Sequence, residues 1–193
     1  MNYRKLILPM ILALLVITAC QEDDPVPTTY SNLDLTSIAK YSGTYVGDNS
    51  TVLHLAQTLP GGEAIQELEL TNQHLKVTYT TENVSDEEMY SWLYNQDTLQ
   101  NNLLFNASLL TILVPNAMEY QFETEEFAFS VPRNEMVKRL QEKLEDFPDE
   151  EEIWTEATVV EFFDKNKNTI KVLIEAEEFK SNFFEDFPIQ KGK

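Results

Sequence analysis

Cysteine, histidine and basic residues are scarce in this chain, and each scarcity closes off a class of function. One cysteine, Cys20, among 193 residues leaves no internal disulfide and no paired-thiolate zinc site. The two histidines, His54 and His74, do not form a His-Glu-x-x-His metalloprotease helix, and packing or solvent contact is their expected role. Lys and Arg number 14 against 33 Asp and Glu, a formal charge of −19. Because Lys/Arg neutralisation of phosphate supplies most non-specific affinity, nucleic acid is excluded as an expected partner. There is no Gly-x-Ser-x-Gly elbow and no phosphate-binding glycine loop. No metal site and no cofactor are therefore expected, and no catalytic residue is assigned.

What is present begins at the N-terminus. Arg4 and Lys5 precede an apolar stretch from Leu6 to Ile17, the layout of a secretory signal. At about 12 residues, the stretch falls short of the roughly 20 that cross a bilayer core. Ile17-Thr18-Ala19-Cys20 resembles the motif read by lipoprotein-processing enzymes. That resemblance implies cleavage after Ala19 and lipidation of Cys20, with more than one acyl chain giving stable anchoring. Residues 1–19 are thus expected to be a lipoprotein signal peptide, and Cys20 a membrane contact at the extracytoplasmic face. Residues 20–32, with Glu22, Asp23, Asp24 and two prolines, are expected to form a flexible acidic tether. Removing Arg4 and Lys5 leaves 12 − 33 = −21 for the mature chain.

A single domain is expected over 33–187, with 188–193 as a tail. Residues Leu33 to Tyr41 suit a short lead-in helix stopped by Gly43. Asp48 or Asn49 can cap a helix that places Val52, Leu55, Ala56 and Leu59 on one face, ended by Pro60-Gly61-Gly62. Leu68 and Leu70, then Leu75, Val77 and Tyr79, alternate about Asn72-Gln73 as a hairpin. The order recurs: Leu99, Leu103, Ala107, Leu110 and Val114 form a helical stripe. Met118, Tyr120 and Phe122, then Phe127, Phe129 and Val131, follow at period two. Residues Met89 to Asn95 are expected to form an extra helix or loop before this second round. A third round would run from Val137, Leu140, Leu144 and Phe147 into strands at Val159–Phe163 and Ile170–Ile174, flanking a turn at 164–168. The expectation is an α+β fold: three helix-strand-strand units forming a mostly antiparallel sheet of about six strands, with helices on one face. Phe183, Phe184 and Phe187 should pack on the domain.

The run Tyr41-Ser42-Gly43-Thr44-Tyr45-Val46-Gly47-Asp48-Asn49-Ser50-Thr51-Val52, continuing to Leu59-Pro60 and Glu67-Leu68-Glu69-Leu70, resembles an uncharacterised extracytoplasmic domain family, DUF4825. Asn106 to Tyr120 is similar to the family's helix followed by a strand. The family occurs in Gram-positive lipoproteins and in some membrane proteins related to beta-lactam sensors. The resemblance implies an envelope location and a sensory or ligand-binding accessory role. It carries no activity to transfer, and the zinc-protease motif of the larger relatives is missing here.

Gly47, Asp48, Asn49 and Ser50 are the candidate ligand loop. Such a segment is either a tight turn into a capped helix, with glycine supplying positive φ or close approach, or an anion-receiving helix N-terminus. Asp48 argues against the anion. Asp164, Asn166, Asn168 and Glu175 resemble calcium-loop positions, but Thr169 stands where that loop needs glycine. The acids Glu145, Asp146 and Asp149 to Glu152 suit a solvated surface. The expected function is a non-enzymatic ligand-binding or sensory module meeting an envelope protein or peptide. The alternatives are an inhibitor or decoy for cationic peptides or an envelope enzyme, and an envelope hydrolase.

Overall fold

The computed structural model describes residues 27–80, 82 and 95–192. The expected signal segment, Cys20, the first part of the expected tether and the expected element at 89–94 lie outside them. Six helices and five strands are assigned among the described residues.

Asp34 opens the domain by accepting the Thr36 backbone N–H at 3.0 Å, capping α1 (Leu35–Ile38), which runs into a 3-10 turn over Ala39–Tyr41. Helix α2 (Asn49–Thr58) buries Val52, Leu55 and Ala56, the residues at helical spacing. Left-handed Gly61 turns the chain out of it, at φ 83°. Strands β1 (Ile65–Thr71) and β2 (His74–Tyr79) form the expected hairpin. Its two turn residues, Asn72 and Gln73, both take positive φ (53° and 63°), the twist-matched form of a two-residue loop.

Helix α3 (Gln96–Leu113) is the centre of the molecule. Asn95 caps it, accepting from Asp97 N at 3.0 Å. Every residue from Asn101 to Leu113 is buried, because β3 packs on one side and α4 and α5 on others. Most of its buried polar members find hydrogen bonds, whereas buried Asn102 has no side-chain hydrogen-bond partner among the described residues. Ser108 and Thr111 donate to the carbonyls one turn back (2.7 and 2.8 Å), and Asn106 donates to Pro60 O at 2.9 Å. The apolar stripe expected from spacing is therefore part of a helix buried nearly all round.

Because α3 serves as a crossover, β3 (Glu119–Glu123) lies parallel to β2. Strand β4 (Phe127–Pro132) returns antiparallel, followed by α4 (Arg133–Gln141), α5 (Glu156–Glu175), α6 (Glu177–Asp186) and the short β5 (Gln190–Lys191). The sheet order is β1-β2-β3-β4-β5, with one parallel and three antiparallel pairings. Register aligns Leu75 with Tyr120 and Val131, and Val77 with Phe122 and Phe129, on one face. These rings stack along the sheet: Tyr79 on Phe122 (6.4 Å) and Phe122 on Phe129 (6.2 Å). Phe183 and Phe184 of α6 then close over Phe129. The helices thus lie on one face, as expected.

The third helix-strand-strand unit is not found. Residues 159–163 and 170–174, expected as a strand pair, lie in one helix, α5, and the sheet has five strands in place of about six. Val159, Phe162, Phe163, Ile170, Leu173 and Ile174 fit a 3.6-residue period equally well, and Asn166 completes the helical stripe. Buried on that stripe, its amide donates to Glu145 O (3.0 Å) and Phe162 O (3.1 Å), so a polar residue sits in the core without an unmet donor. The turn and the calcium-loop likeness at 164–168 disappear together. In α4 the apolar core residues are Met136 and the expected Leu140, while Val137 is half-exposed. Met118 precedes β3 and is 57 % exposed. Both ends of the expected domain also extend: β5 falls in the expected tail, and Tyr30 of the expected tether packs on the core.

Candidate functional site

Four places in the fold gather polar or charged side chains. The Gly47–Ser50 segment is a capped turn. Asp48 accepts from Thr51 N (3.2 Å), Thr51 Oγ1 (2.8 Å) and Ser50 Oγ (3.1 Å). These bonds, the Thr51 hydroxyl first, hold its carboxyl below the usual range. Gly47 itself has nothing within 4 Å of a notional Cβ and no positive φ, so neither close approach nor left-handed backbone calls for glycine there. The demand falls on Gly43, at φ 70° with a Cβ position 2.7 Å from Trp154 O.

The open face of the sheet carries charged side chains. Lys76 lies between Glu123 (2.7 Å) and Glu69 (2.8 Å), which raise its pKa in that order, and His74 meets Glu119 at 3.2 Å. Exposed pairs of this kind contribute little to stability. His54 is exposed. At the start of α3, buried Lys180 reaches Asp97, Glu177 (2.9 Å) and Asn101 Oδ1 (3.2 Å), joining α6 to α3. No group of three or more His, Cys, Asp or Glu among the described residues could hold a metal ion.

The fourth place is a cleft of about 340 Å³ beside the junction of β4 and α4. Strand β4 points Phe127, Phe129 and Val131 inward, and Arg133 falls on the same phase of the period-two pattern. Its backbone N–H donates to Met118 O at 2.9 Å, carrying the pairing of β3 with β4 one residue into the helix. The guanidinium is consequently drawn inward, with the side chain only 9 % exposed. Behind it lies Tyr120, whose buried phenol is pushed above its ordinary range by desolvation and eased by Thr111 and Arg133. In front, Nη1 donates to Glu150 Oε1 at 2.9 Å. Nε has no hydrogen-bond acceptor among the described residues. Ala117, Met118 and Val137 form an apolar wall, and Lys138 adds a second cation.

The cleft therefore holds two cations against one carboxylate in a chain of formal charge −19. No serine, threonine or cysteine lines it. Nearby, Val46 N donates to Asn116 Oδ1 at 3.0 Å, bringing the Tyr45 loop beside Ala117. Exposed Tyr45 leans on Trp154, with ring centres 4.8 Å apart. The expected loop residues Gly47 to Ser50 are thus neighbours of the cleft region without lining the cleft. From the sequence, Arg133 is not singled out, Met118 is expected as an inward strand residue and Glu150 as part of a solvated acidic surface. The available signal was Arg133 on the inward phase after Phe127, Phe129 and Val131.

The arrangement defines a small α+β domain with a one-sided mixed sheet and a cationic cleft at the β4–α4 junction. Residues 38–133 match the family described as Domain of unknown function (DUF4825), and that stretch of the chain is a member of it. The match takes in β1 to β4 and α3 and ends at Arg133, leaving α5, α6 and β5 beyond it. No curated protein and no solved structure matches the chain.

Proposed function

We propose that this chain is an extracytoplasmic module of the cell envelope, held to the membrane by lipid on Cys20, that binds a ligand and does not transform it. The observation that carries the reading is the Arg133 cleft: a desolvated cation, an apolar wall and no serine, threonine or cysteine among the lining residues. Location rests on Ile17-Thr18-Ala19-Cys20 after an apolar stretch too short to span a bilayer. No helix of the described residues is long and apolar enough to cross a membrane.

The test places a photo-crosslinking residue at Met118, exposed on the cleft wall, and, as a control, at Gln121 on the open face of the sheet. In intact cells, capture of an envelope component from position 118 and not from 121 is the expected result. Equal capture at both, or none at 118, counts against the reading. In parallel, Cys20→Ser should move the chain out of the membrane fraction without unfolding it; a variant that stays membrane-bound overturns the anchor.

A decoy for cationic peptides is the second reading, favoured by Glu67, Glu69, Glu119 and Glu123 on the open face. Capture by that face should weaken steeply with added salt. Binding that is insensitive to salt removes this alternative.

A further inference from the structure

We propose that the Arg133 cleft binds a single carboxylate carried beside an apolar group, as at the C-terminus of a peptide, and that Glu150 is the internal carboxylate this ligand displaces. The proposal rests on the binding reading above and names its ligand.

Three observations converge on it. First, the pair Arg133–Glu150 is asymmetric: the arginine side chain is 9 % exposed and the glutamate 76 %. The cation is built into the fold through β4 and Tyr120, whereas the carboxylate reaches in from the surface loop after Pro148. Glu150 has no other ion-pair partner among the described residues. Displacing it breaks one charge-assisted bond and returns an exposed carboxylate to water, where its solvation is restored.

Second, a carboxylate already occupies the Arg133 fork, so the geometry accepts that group. Arginine offers five donors in a planar fork suited to a carboxylate, and Glu150 engages Nη1 alone. Lys138, also lining the cleft, supplies a further cation for a ligand that replaces it.

Third, the wall and the global charge limit what carries the carboxylate. Ala117, Met118 and Val137 offer apolar contact next to the cation, and Met118 is 57 % exposed with a flexible thioether that adapts to different side chains. A polyanion would meet the field of a chain carrying −19, but one negative charge on a short peptide end loses little to that repulsion. The C-terminal residue of a peptide combines one carboxylate with one adjacent side chain.

The test uses the full lipidated chain in detergent micelles and two probes, an N-acetylated tripeptide ending in leucine with a free carboxylate and the same peptide as its amide. Titration calorimetry should show the acid binding about tenfold or more tightly than the amide. Arg133→Gln should abolish that preference. Glu150→Gln should tighten the acid by about twofold to fivefold, since it removes the internal competitor. Equal binding of acid and amide, binding of neither, or an acid affinity weakened by Glu150→Gln overturns the proposal. If Arg133→Gln fails to fold, the acid-amide comparison and Glu150→Gln decide it without that variant. Crosslinking at position 118 combined with no acid preference would overturn the carboxylate assignment while leaving the binding module standing. Loss of both overturns both.

Discussion

Tyr30 Oη donates to Glu175 Oε1 at 3.1 Å across 145 positions of the chain, and its ring meets Phe105 edge-on at 6.3 Å. Lys171 Nζ adds a bond to Ser31 O at 2.7 Å. The segment expected to be loose leash is therefore clamped to α3 and α5 from Tyr30 onward. Tyr30→Phe should cost no more than about 1 kcal/mol, because it gives up one partly solvated hydrogen bond. Tyr30→Ala should cost about 1–3 kcal/mol, since it also removes the ring from Phe105. Urea unfolding of the two variants checks this; equal costs would mean that the ring contact is idle.

Alkali should attack this fold through three tyrosines. Burial pushes Tyr79 and Tyr120 above the ordinary phenol range, with Asn106 easing the first and Thr111 and Arg133 the second. Tyr30 is raised by partial burial first and by its bond to Glu175 next. A phenol raised in the folded state holds its proton there longer than in the unfolded chain. Its contribution is complete below the unfolded value of about 10 and is lost as pH rises from there through the folded value. Tyrosinate absorbance should accordingly show a group of tyrosines that titrates only with unfolding. Titration of every tyrosine at the ordinary value before unfolding would contradict the burial.

Asp48 should behave as a helix cap. Asp48→Ala should lower the denaturant midpoint at neutral pH without changing the slope, and Asp48→Asn should restore most of it, because asparagine caps comparably. The folded-state pKa is depressed, so this contribution is present above the unfolded value of about 3.9 and fades as pH falls through the folded one. The gap between wild type and Asp48→Ala should narrow in acid. A gap that widens would point to a different role for the carboxylate.

Asn168 lies mid-way along α5 on its exposed side. Asn168→Pro should cost about 3 kcal/mol or more by removing an intrahelical bond and clashing with the preceding turn. In a hairpin turn the same change would be tolerated. Thermal unfolding separates the outcomes, and a near-neutral substitution would restore the strand-turn-strand reading of 159–174.

Much of the first half was legible. Asp48 before Val52, Leu55 and Ala56 announces α2, and Asn72-Gln73 between alternating leucines and valines announces the hairpin. Both depend on interactions within a few residues, and both appear where expected. The α5 segment was not legible, because Val159 to Phe163 is short, apolar and β-branched enough to suit either period, and Asp164 to Asn168 looks like a turn. In the helix, Asn166 falls on the buried stripe and donates to Glu145 O, a partner 21 positions away that no local pattern announces. For Arg133 the strand phase pointed inward, but no local rule says that a cation there will be kept and answered by Glu150.

By itself the sequence determined the local elements, the inward phase of each strand and the acidic surface. Dihedral sterics, capping and side-chain period act over a handful of residues and need no knowledge of the rest. Only the tertiary structure decided that β2 and β3 run parallel, that residues 190–191 complete the sheet, and that α3 is enclosed on nearly every side. It also decided that Arg133 lies buried between Tyr120 and Glu150. Each of these depends on which distant group arrives to satisfy a donor or cover an apolar face, and that is a property of the packed chain.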